Sequence, residues 1–257
     1  MNSDSNAVMK DSYVRVGRVP FIATTADEAC GDVIRWGLER KAISVRLSNA
    51  YCVAVASNDR SYAEVLNDEG VNFPDGRPVV WAMKARSRGR ILAGHVRGPS
   101  LFRNVLDRGR SKNLKHFFLG ATDETLEDLY RAACNEYPGI SIAGMYSPQF
   151  GPVDSSFLED VSNRINDADP DIVWVALGTP KQDFCTAALC RMVQRPCVGV
   201  GAAFDFVAGT ISEAPRFFQK FGIEWLYRFA SEPRRLWKRY VFGNVTFIRS
   251  ALTESGN

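Results

Sequence analysis

Residues 171–183 read DIVWVALGTPKQD, an apolar run that ends in a Gly-Thr-Pro turn and continues as a polar segment. The run 171–178 is nearly continuous in apolar residues, which is typical of a strand covered on both faces in a parallel sheet. Pro180 suits the first turn of a helix, where its missing N–H is not needed. The stretch therefore predicts a strand, a turn and a helix, the repeating unit of an α/β protein.

The same alternation continues on both sides of this stretch. Further strands are predicted at 43–49, 71–73, 116–120, 140–144 and 197–204. Helical spacing of apolar residues is present near 25–41, 51–66, 126–133, 158–165 and 184–192, and the first of these begins with a Thr-x-x-Glu capping box. We therefore expect an α/β fold with a Rossmann-like, mostly parallel sheet, helices on both faces and a C-terminal basic helical appendage.

The chain divides into three parts by composition. Residues 1–18 are mostly polar and unpatterned, which predicts disorder. Residues 19–212 carry the strand and helix alternation, and residues 213–257 form the predicted amphipathic basic appendage. The charge is distributed unevenly along the chain. The net charge is +3, but residues 214–250 alone hold eight Lys and Arg against two Glu. A basic tail predicts an anionic partner: lipid headgroups, nucleic acid or a phosphorylated ligand.

The cysteines, the histidines and the apolar runs indicate the cellular compartment of the protein and exclude some kinds of chemistry. The six cysteines contain no C-x-x-C pair, which predicts a reducing, cytoplasmic compartment without a disulfide framework. With two histidines, His95 and His116, a histidine-rich metal site is excluded and no metal is expected. No apolar run approaches the ~20 residues that span a bilayer, and no signal-peptide pattern is present, so we expect neither secretion nor membrane integration.

Candidate binding residues follow the predicted strands, because ligands of parallel sheets bind beyond the carboxyl ends of the strands. Asn49, Asp75, Gly178 and Asp205 occupy such places. Asp75-Gly76 alone predicts only a turn. The sequence GVGAAF at 199–204 begins like a dinucleotide fingerprint, but a Phe stands where the third Gly is needed, and no P-loop is present.

Two further stretches have a structural interpretation beside the functional one. Lys181 and Gln182 open a helix whose free N–H groups favour an anion, although Lys181 could equally be solvated. The sequence EWLYRFASEPRRLWKRY at 224–240 interleaves aromatics with arginines. This pattern suits a membrane surface, but a helix packed on the core with a solvated basic face is the simpler reading of these residues alone.

In order, these pieces resemble the WecG/TagA/CpsF family of bacterial glycosyltransferases. The resemblance covers about residues 25–240. It rests on several motifs: Asn49, Asp75-Gly76, Leu119-Gly120, Tyr137-Pro138, Gly178 to Asp183, Phe204-Asp205 through Ala208-Gly209, Glu224-Trp225-Leu226 with Arg228, and Glu232-Pro233 with Arg235.

The resemblance implies an inverting, metal-independent hexosyltransferase. Such enzymes move a sugar from a UDP-sugar to a polyprenyl-diphosphate-linked saccharide at the cytoplasmic membrane face, in exopolysaccharide or cell-envelope polysaccharide biosynthesis. The UDP-sugar is a substrate, so no cofactor is implied. Asp75 matches the family's proposed general base, and a carboxylate can take the proton of an attacking hydroxyl.

The resemblance also assigns the other site residues. Asn49 would orient the sugar or the acceptor. The implied substrate-binding residues are Gln182, Lys181, Gly178, His95, Asp205, Arg228 and Arg235, the two arginines meeting the charge of the leaving UDP. The implied membrane-contacting residues are Trp225, Arg234, Lys238 and Arg239.

Several positions depart from the family pattern. Leu47 stands where a Thr is frequent, with Ser48 as a possible source of a hydroxyl. His95 and Ser100 replace Arg and Asp, and Glu213 replaces Arg. The departures cluster around the expected sugar site, so the donor stays open among N-acetylmannosamine, its uronic acid and glucose.

A non-enzymatic nucleotide-binding or nucleic-acid-binding α/β module is the alternative function. The absence of a recognised nucleic-acid motif argues against it, and nucleic acid is not an expected partner. We also predict that the appendage is mobile without a membrane, because its aromatic side chains need a partner surface. A homo-oligomer in which the tail completes a neighbour's site is a further possibility.

Overall fold

The computed structural model describes residues 13–215, 217–218, 224–231 and 233–253, and the side chains of Trp225, Arg228, Ala230, Ser231 and residues 233–242 lie outside this description. The strands are β1 Tyr13–Val16, β2 Val19–Ile22, β3 Ser44–Ser48, β4 Val71–Pro74, β5 Lys115–Gly120, β6 Ser141–Tyr146, β7 Ile172–Ala176 and β8 Cys197–Gly199. The helices are α1 Ala26–Leu38, α2 Ala50–Asn58, α3 Arg60–Asn67, α4 Arg77–Arg86, α5 Gly98–Gly109, α6 Asp123–Glu136, α7 Ser155–Ala168, α8 Lys181–Val193, α9 Ala203–Ala208, α10 Glu224–Ser231 and α11 Pro233–Thr253.

Six of the strands form one sheet in the order β4-β3-β8-β7-β5-β6, and every neighbouring pair is parallel. Helices surround the sheet, and apolar clusters fill the space between them. The predicted α/β class with a parallel sheet is confirmed. Because all six strands point the same way, their carboxyl ends meet at one edge, and the candidate site lies there.

Local sequence signals account for the first helix. The Thr25 hydroxyl accepts the N–H of Glu28, and the Glu28 carboxylate accepts the N–H of Thr25, so the predicted capping box closes in both directions. Ala29, Val33 and Trp36 follow at helical spacing and are buried against the sheet. The cap and the apolar stripe together fix where α1 begins and which face it buries.

The last strand is shorter than predicted. A strand was expected over 197–204, but β8 ends at Gly199 and the chain turns into α9 at Ala203. Gly201 adopts a positive φ of 55° in this turn, which a glycine tolerates without strain. Phe204 then packs against Phe102 and Phe118 in the core. The apolar run was continuous in sequence because a strand and a buried helix follow one another directly.

The predicted N-terminal disorder is wrong for residues 13–18. Tyr13–Val16 pairs with Val19–Ile22 as an antiparallel hairpin around Gly17, which has a φ of 59°. Phe21 is buried between this hairpin and the core. Residues 1–12 lie outside the described part of the chain.

The end of the predicted appendage contacts the core. The described side chain of Phe247 in α11 is buried among residues of α2 and α4. The Arg86 guanidinium of α4 donates to the Ala251 carbonyl at 2.6 Å and so holds the C-terminal turn of α11. The boundary at 212/213 and the mobility of the appendage stay predictions.

Candidate active site

Asn49 and Asp75 lie side by side at the carboxyl edge of the sheet. Ser48 pairs with Pro74 at the ends of β3 and β4, and the Asp75 N–H donates to the Ser48 carbonyl at 3.0 Å. Each of the two residues is therefore the first beyond its strand. Their proximity follows from the parallel pairing of β3 and β4.

His95 contacts Asp75 directly. Its Nε2 lies 3.1 Å from Asp75 Oδ1, and the two side chains are 20% and 27% exposed, so a ligand can reach them. The contact is possible because the chain leaves the sheet after Asp75, forms α4 and returns, where the Val96 N–H donates to the Pro74 carbonyl at 2.9 Å. The positive φ of Gly76, 87°, begins this excursion.

The side-chain carbonyl oxygen of Asn49 is used in a helix cap. Its Oδ1 accepts the backbone N–H of Tyr51 at 3.0 Å and caps α2. Its Nδ2 makes no hydrogen bond to the described residues and can donate to a ligand. The sequence predicted the place of Asn49 but not that its carbonyl oxygen is used as a helix cap.

The residues before Asn49 do not replace the family's threonine. Leu47 packs near Gly98, where an added Cβ would lie 3.0 Å from a Leu47 methyl. The Ser48 hydroxyl is buried and lies 3.4 Å from Asn72 Oδ1. Ser48 is therefore hydrogen-bonded inside the protein, and the hydroxyl expected from it does not line this edge.

Lys181 and Gln182 are the first two residues of α8. Gln182 is buried, and its Oε1 accepts the N–H of Gly201 at 3.1 Å, so it holds the turn that follows β8. Lys181 Nζ lies 5.5 Å from the ring centres of Phe150 and Phe157. Gly178 precedes them with a φ of 76°. Their contact with a donor stays a prediction.

Asp183, beside Gln182, belongs to a buried polar cluster that the sequence did not reveal. The Tyr62 hydroxyl donates to Asp183 Oδ2 at 2.6 Å. Burial raises the pKa of Asp183 to about 6, although the Tyr62 hydrogen bond and the charge of Arg46 oppose the rise. Arg46 is fully buried in β3. Since a strand covered on both faces has no solvent side, alternation alone could not place Arg46.

We expect Asp183 to make stability fall as the pH rises from about 4 to about 6. The raised pKa means that the folded protein binds a proton that the unfolded chain has released, so stability is full below the unfolded pKa and is lost through the folded one. Relative to D183N, the free energy of unfolding of the wild type should fall by about 2–3 kcal/mol across this window. Urea unfolding at several pH values measures it.

The variant Y62F provides the control for this pH dependence. It removes a hydrogen bond that lowers the pKa of Asp183, so the fall should extend to higher pH. A constant difference between wild type and D183N from pH 4 to 7 would contradict the assignment.

A cluster of ion pairs that the sequence did not reveal joins the core to the C-terminal segment. Arg97 Nη2 lies 2.7 Å from Glu213 Oε2, and Arg97 Nε lies 3.0 Å from Glu224 Oε2 at the start of α10. Arg103 of α5 also pairs with Glu213. The pair residues are 100 and more positions apart in sequence, so only the fold brings them together. Arg97 follows His95 by two residues, and this network therefore borders the Asp75–His95 pair.

The remaining predicted residues are placed less completely. Asp205 lies in the first turn of α9, with its Oδ1 3.5 Å from the Thr210 hydroxyl. Arg77, which the sequence did not single out, begins α4 two residues after Asp75, and its buried Nε has no hydrogen-bond partner among the described residues. The described part excludes the side chains of Trp225, Arg228, Arg234, Arg235, Lys238 and Arg239, so these assignments stay predictions.

His116, the other histidine, is a core residue. Its Nδ1 accepts the indole N–H of Trp174 at 3.1 Å, and burial lowers its pKa to about 3. Among the described residues, no three His, Cys, Asp or Glu side chains are grouped so that they could hold a metal ion. None of the described helices is both long enough and apolar enough to cross a bilayer.

The fold and the site define a class: a parallel α/β protein with a carboxylate and an amide at adjacent strand ends. The model of the glycosyl transferase WecG/TagA/CpsF family matches residues 14–257, and the chain belongs to this family. Two relatives are named N-acetylglucosaminyldiphosphoundecaprenol N-acetyl-β-D-mannosaminyltransferase. The protein from Bacillus spizizenii is 35% identical over 72% of this chain and 69% of its own length. The protein from Bacillus subtilis is 34% identical over the same shares.

Proposed function

We propose that the protein is an inverting glycosyltransferase that moves a hexose-type sugar from a UDP-sugar to a polyprenyl-diphosphate-linked saccharide. Family membership and the names of the two Bacillus relatives support the reaction class. The single structural observation that supports it most is the Asp75–His95 contact at the carboxyl edge of the sheet. The product would enter cell-envelope polysaccharide or exopolysaccharide synthesis.

Asp75 is the proposed general base. An ionised carboxylate takes the proton of the acceptor hydroxyl while the oxygen forms a bond to the anomeric carbon. The bond from that carbon to the UDP oxygen breaks on the opposite face, and the electron pair leaves with UDP. In the tautomer that carries a proton on Nε2, His95 would donate to an ionised Asp75 at Oδ1 and leave Oδ2 to accept the proton. We assign to the Nδ2 of Asn49, at the neighbouring strand end, the role of orienting a sugar or acceptor oxygen.

Cationic side chains would stabilise the leaving UDP. We assign this role to Arg228 and Arg235 of the C-terminal helices, with Lys181 and Gln182 nearer the donor, in a transfer that needs no metal. Arg77, two residues after Asp75, adds a candidate, because its buried Nε has no hydrogen-bond partner in the part of the chain that the structure describes. The Arg97 pairs with Glu213 and Glu224 bring α10, which carries Arg228, to this edge.

The acceptor would place the reaction at the cytoplasmic face of the membrane, where we expect the protein to bind peripherally. A lipid-linked saccharide keeps its polyprenyl chain in the bilayer and presents its sugar hydroxyl at the surface. Trp225, Arg234, Lys238 and Arg239 are the proposed contacts of the appendage with lipid.

A donor screen tests the function. Purified protein is mixed with a short-chain polyprenyl-diphosphate N-acetylglucosamine acceptor and, separately, with UDP-N-acetylmannosamine, its uronic acid and UDP-glucose. We expect one donor to give a disaccharide product with the anomeric configuration inverted, read by mass spectrometry and NMR. No product with any donor, together with tight binding of a nucleotide or RNA, would favour the non-enzymatic alternative.

We expect H95A to lower kcat by about 10- to 100-fold with little change in KM. The variant removes a hydrogen bond to a charged carboxylate, and such bonds contribute about 1.5–3 kcal/mol. H95Q should recover part of the loss, because the glutamine amide can donate in place of the imidazole. Steady-state kinetics of the three proteins measures it. Equal losses in H95A and H95Q would contradict the positioning role, and a loss as large as that of D75N would make His95 itself the base.

A further inference from the structure

The excursion between Asp75 and His95 carries an exposed basic and apolar surface. We define the excursion surface as the side chains of Trp81, Lys84, Arg88, Arg90 and Leu92. Trp81 is 57% exposed and Leu92 is 73% exposed, although both are large and apolar. Single exposed apolar side chains are common, but apolar side chains that gather on one part of a surface mark an interaction site.

The charge of this segment has one sign. Residues 76–106 contain seven Lys and Arg and no Asp or Glu. Within the described residues, Lys84, Arg88 and Arg90 form no ion pair with a carboxylate. The basic charge of the excursion surface is thus available to an anionic partner.

The arrangement fits a membrane interface. Trp81 and Lys84 are three residues apart on α4 and share its exposed side. An indole ring and a lysine on one helix face match the layer of headgroups at the edge of a bilayer. Leu92 is aliphatic and suits acyl chains, whereas Trp81 is the one aromatic ring of the excursion surface on which a nucleic-acid base could stack.

A second exposed apolar stripe adjoins this surface. Val245, Ile248 and Leu252 of α11 are more than half exposed and follow at helical spacing. The bond from Arg86 to the Ala251 carbonyl joins this end of α11 to the end of α4. The two apolar regions therefore belong to one part of the molecule.

We propose that the excursion surface docks the protein core on an anionic lipid membrane, in addition to any contact made by residues 224–240. The choice of lipid among polyanions rests on the proposed lipid-linked acceptor. α4 is 10 residues long, and a helix rises about 1.5 Å per residue, so the surface lies within about 20 Å of the Asp75–His95 pair. Docking there would bring the reacting carboxylate within a short distance of a lipid-linked sugar.

Vesicle flotation of the full chain tests the proposal. Vesicles of phosphatidylglycerol mixed with phosphatidylcholine are compared with vesicles of phosphatidylcholine alone. We expect K84Q/R88Q/R90Q to partition about 10- to 100-fold more weakly onto the anionic vesicles, because each basic residue near such a surface contributes to binding. W81S/L92S should weaken binding at high salt, where charge is screened and apolar insertion remains.

The matched control is K112Q/R131Q/R164Q, which removes three exposed basic residues: one from the segment after α5, one from α6 and one from α7. It should float like the wild type. Equal binding by the excursion variants and the wild type, or an equal loss in the control, would overturn the proposal. Unchanged vesicle binding with weakened binding of single-stranded RNA would overturn it in favour of nucleic acid.

Activity on the short-chain acceptor in solution separates this proposal from the proposed function. The excursion variants should keep wild-type turnover there, because the acceptor needs no membrane. If the wild type shows no turnover with any donor while the flotation results are as expected, the proposed function is wrong and the proposed membrane-docking surface is retained. If turnover is normal and flotation is unchanged, the surface proposal fails alone.

Discussion

D75N should lose about 10²- to 10⁴-fold in kcat while it binds the donor with nearly wild-type affinity. An asparagine occupies the same space as aspartate, but its amide cannot accept the proton of the acceptor hydroxyl. General-base catalysis contributes a factor of this size. The Asp75 N–H bond to Ser48 is made by the backbone and persists in the variant, so the turn should stay in place. Single-turnover kinetics with a saturating donor measures the loss in the chemical step.

A matched control comes from α1. Asp32 is 29% exposed and pairs with Arg35, whereas Asp75 is 27% exposed and contacts His95. D32N therefore removes a carboxylate of similar exposure from outside the site and should retain wild-type kcat. Wild-type turnover in D75N would remove Asp75 from the mechanism, and weak donor binding in D75N would assign it to substrate binding.

The sequence predicted the fold because apolar runs, caps and glycines act locally. DIVWVALG formed a strand and GTPKQD its turn and helix start, as expected, and Thr25 with Glu28 capped α1. The strand order followed only from the structure, because β8 inserts between β3 and β7 although it is last in the chain. No local pattern records which strands become neighbours.

Some residues of the candidate site could likewise be predicted from local sequence patterns, and others could not. Asn49 and Asp75 could be predicted because each follows a strand, and strand ends collect ligand-binding groups. The Asp183–Tyr62 bond joins residues 121 positions apart, and Arg97 meets Glu224 across 127 positions. Such pairs depend on tertiary packing. His95 was expected from a family motif, but its contact with Asp75 depends on how the 76–94 excursion returns to the sheet.

The family departures at His95 and Glu213 have different structural consequences. His95 meets the carboxylate that the family motif assigns to catalysis, so its replacement of Arg alters the immediate surroundings of Asp75. Glu213 forms ion pairs with Arg97 and Arg103. Because the family has an Arg at this position, the Glu reverses the charge of the segment that leads to α10. The first departure changes the side chain that contacts Asp75, and the second changes how the C-terminal segment is attached.

R97M should lower kcat/KM by about 10- to 100-fold by loosening α10 from the core. Arg97 is 12% exposed and is the ion-pair partner of Glu224 among the described residues. Removing one partner of a largely buried pair leaves the other charge without compensation, which costs on the order of 1–3 kcal/mol. Glu224 would then prefer water, and α10 would hold Arg228 less closely at the edge where UDP is proposed to leave. Kinetics of R97M, E224Q and the double variant measures the coupling.

The two single losses should not add. If Arg97 and Glu224 act through one contact, R97M/E224Q loses no more activity than R97M alone. R103M is the matched control, because it removes an arginine from Glu213 but leaves the Arg97–Glu224 pair intact, and its loss should be smaller. Additive losses in the double variant, or an equal loss in R103M, would show that Arg97 does not act by docking α10. Charge at residue 97 would then act on the substrate directly, and R97K should retain most of the activity that R97M loses.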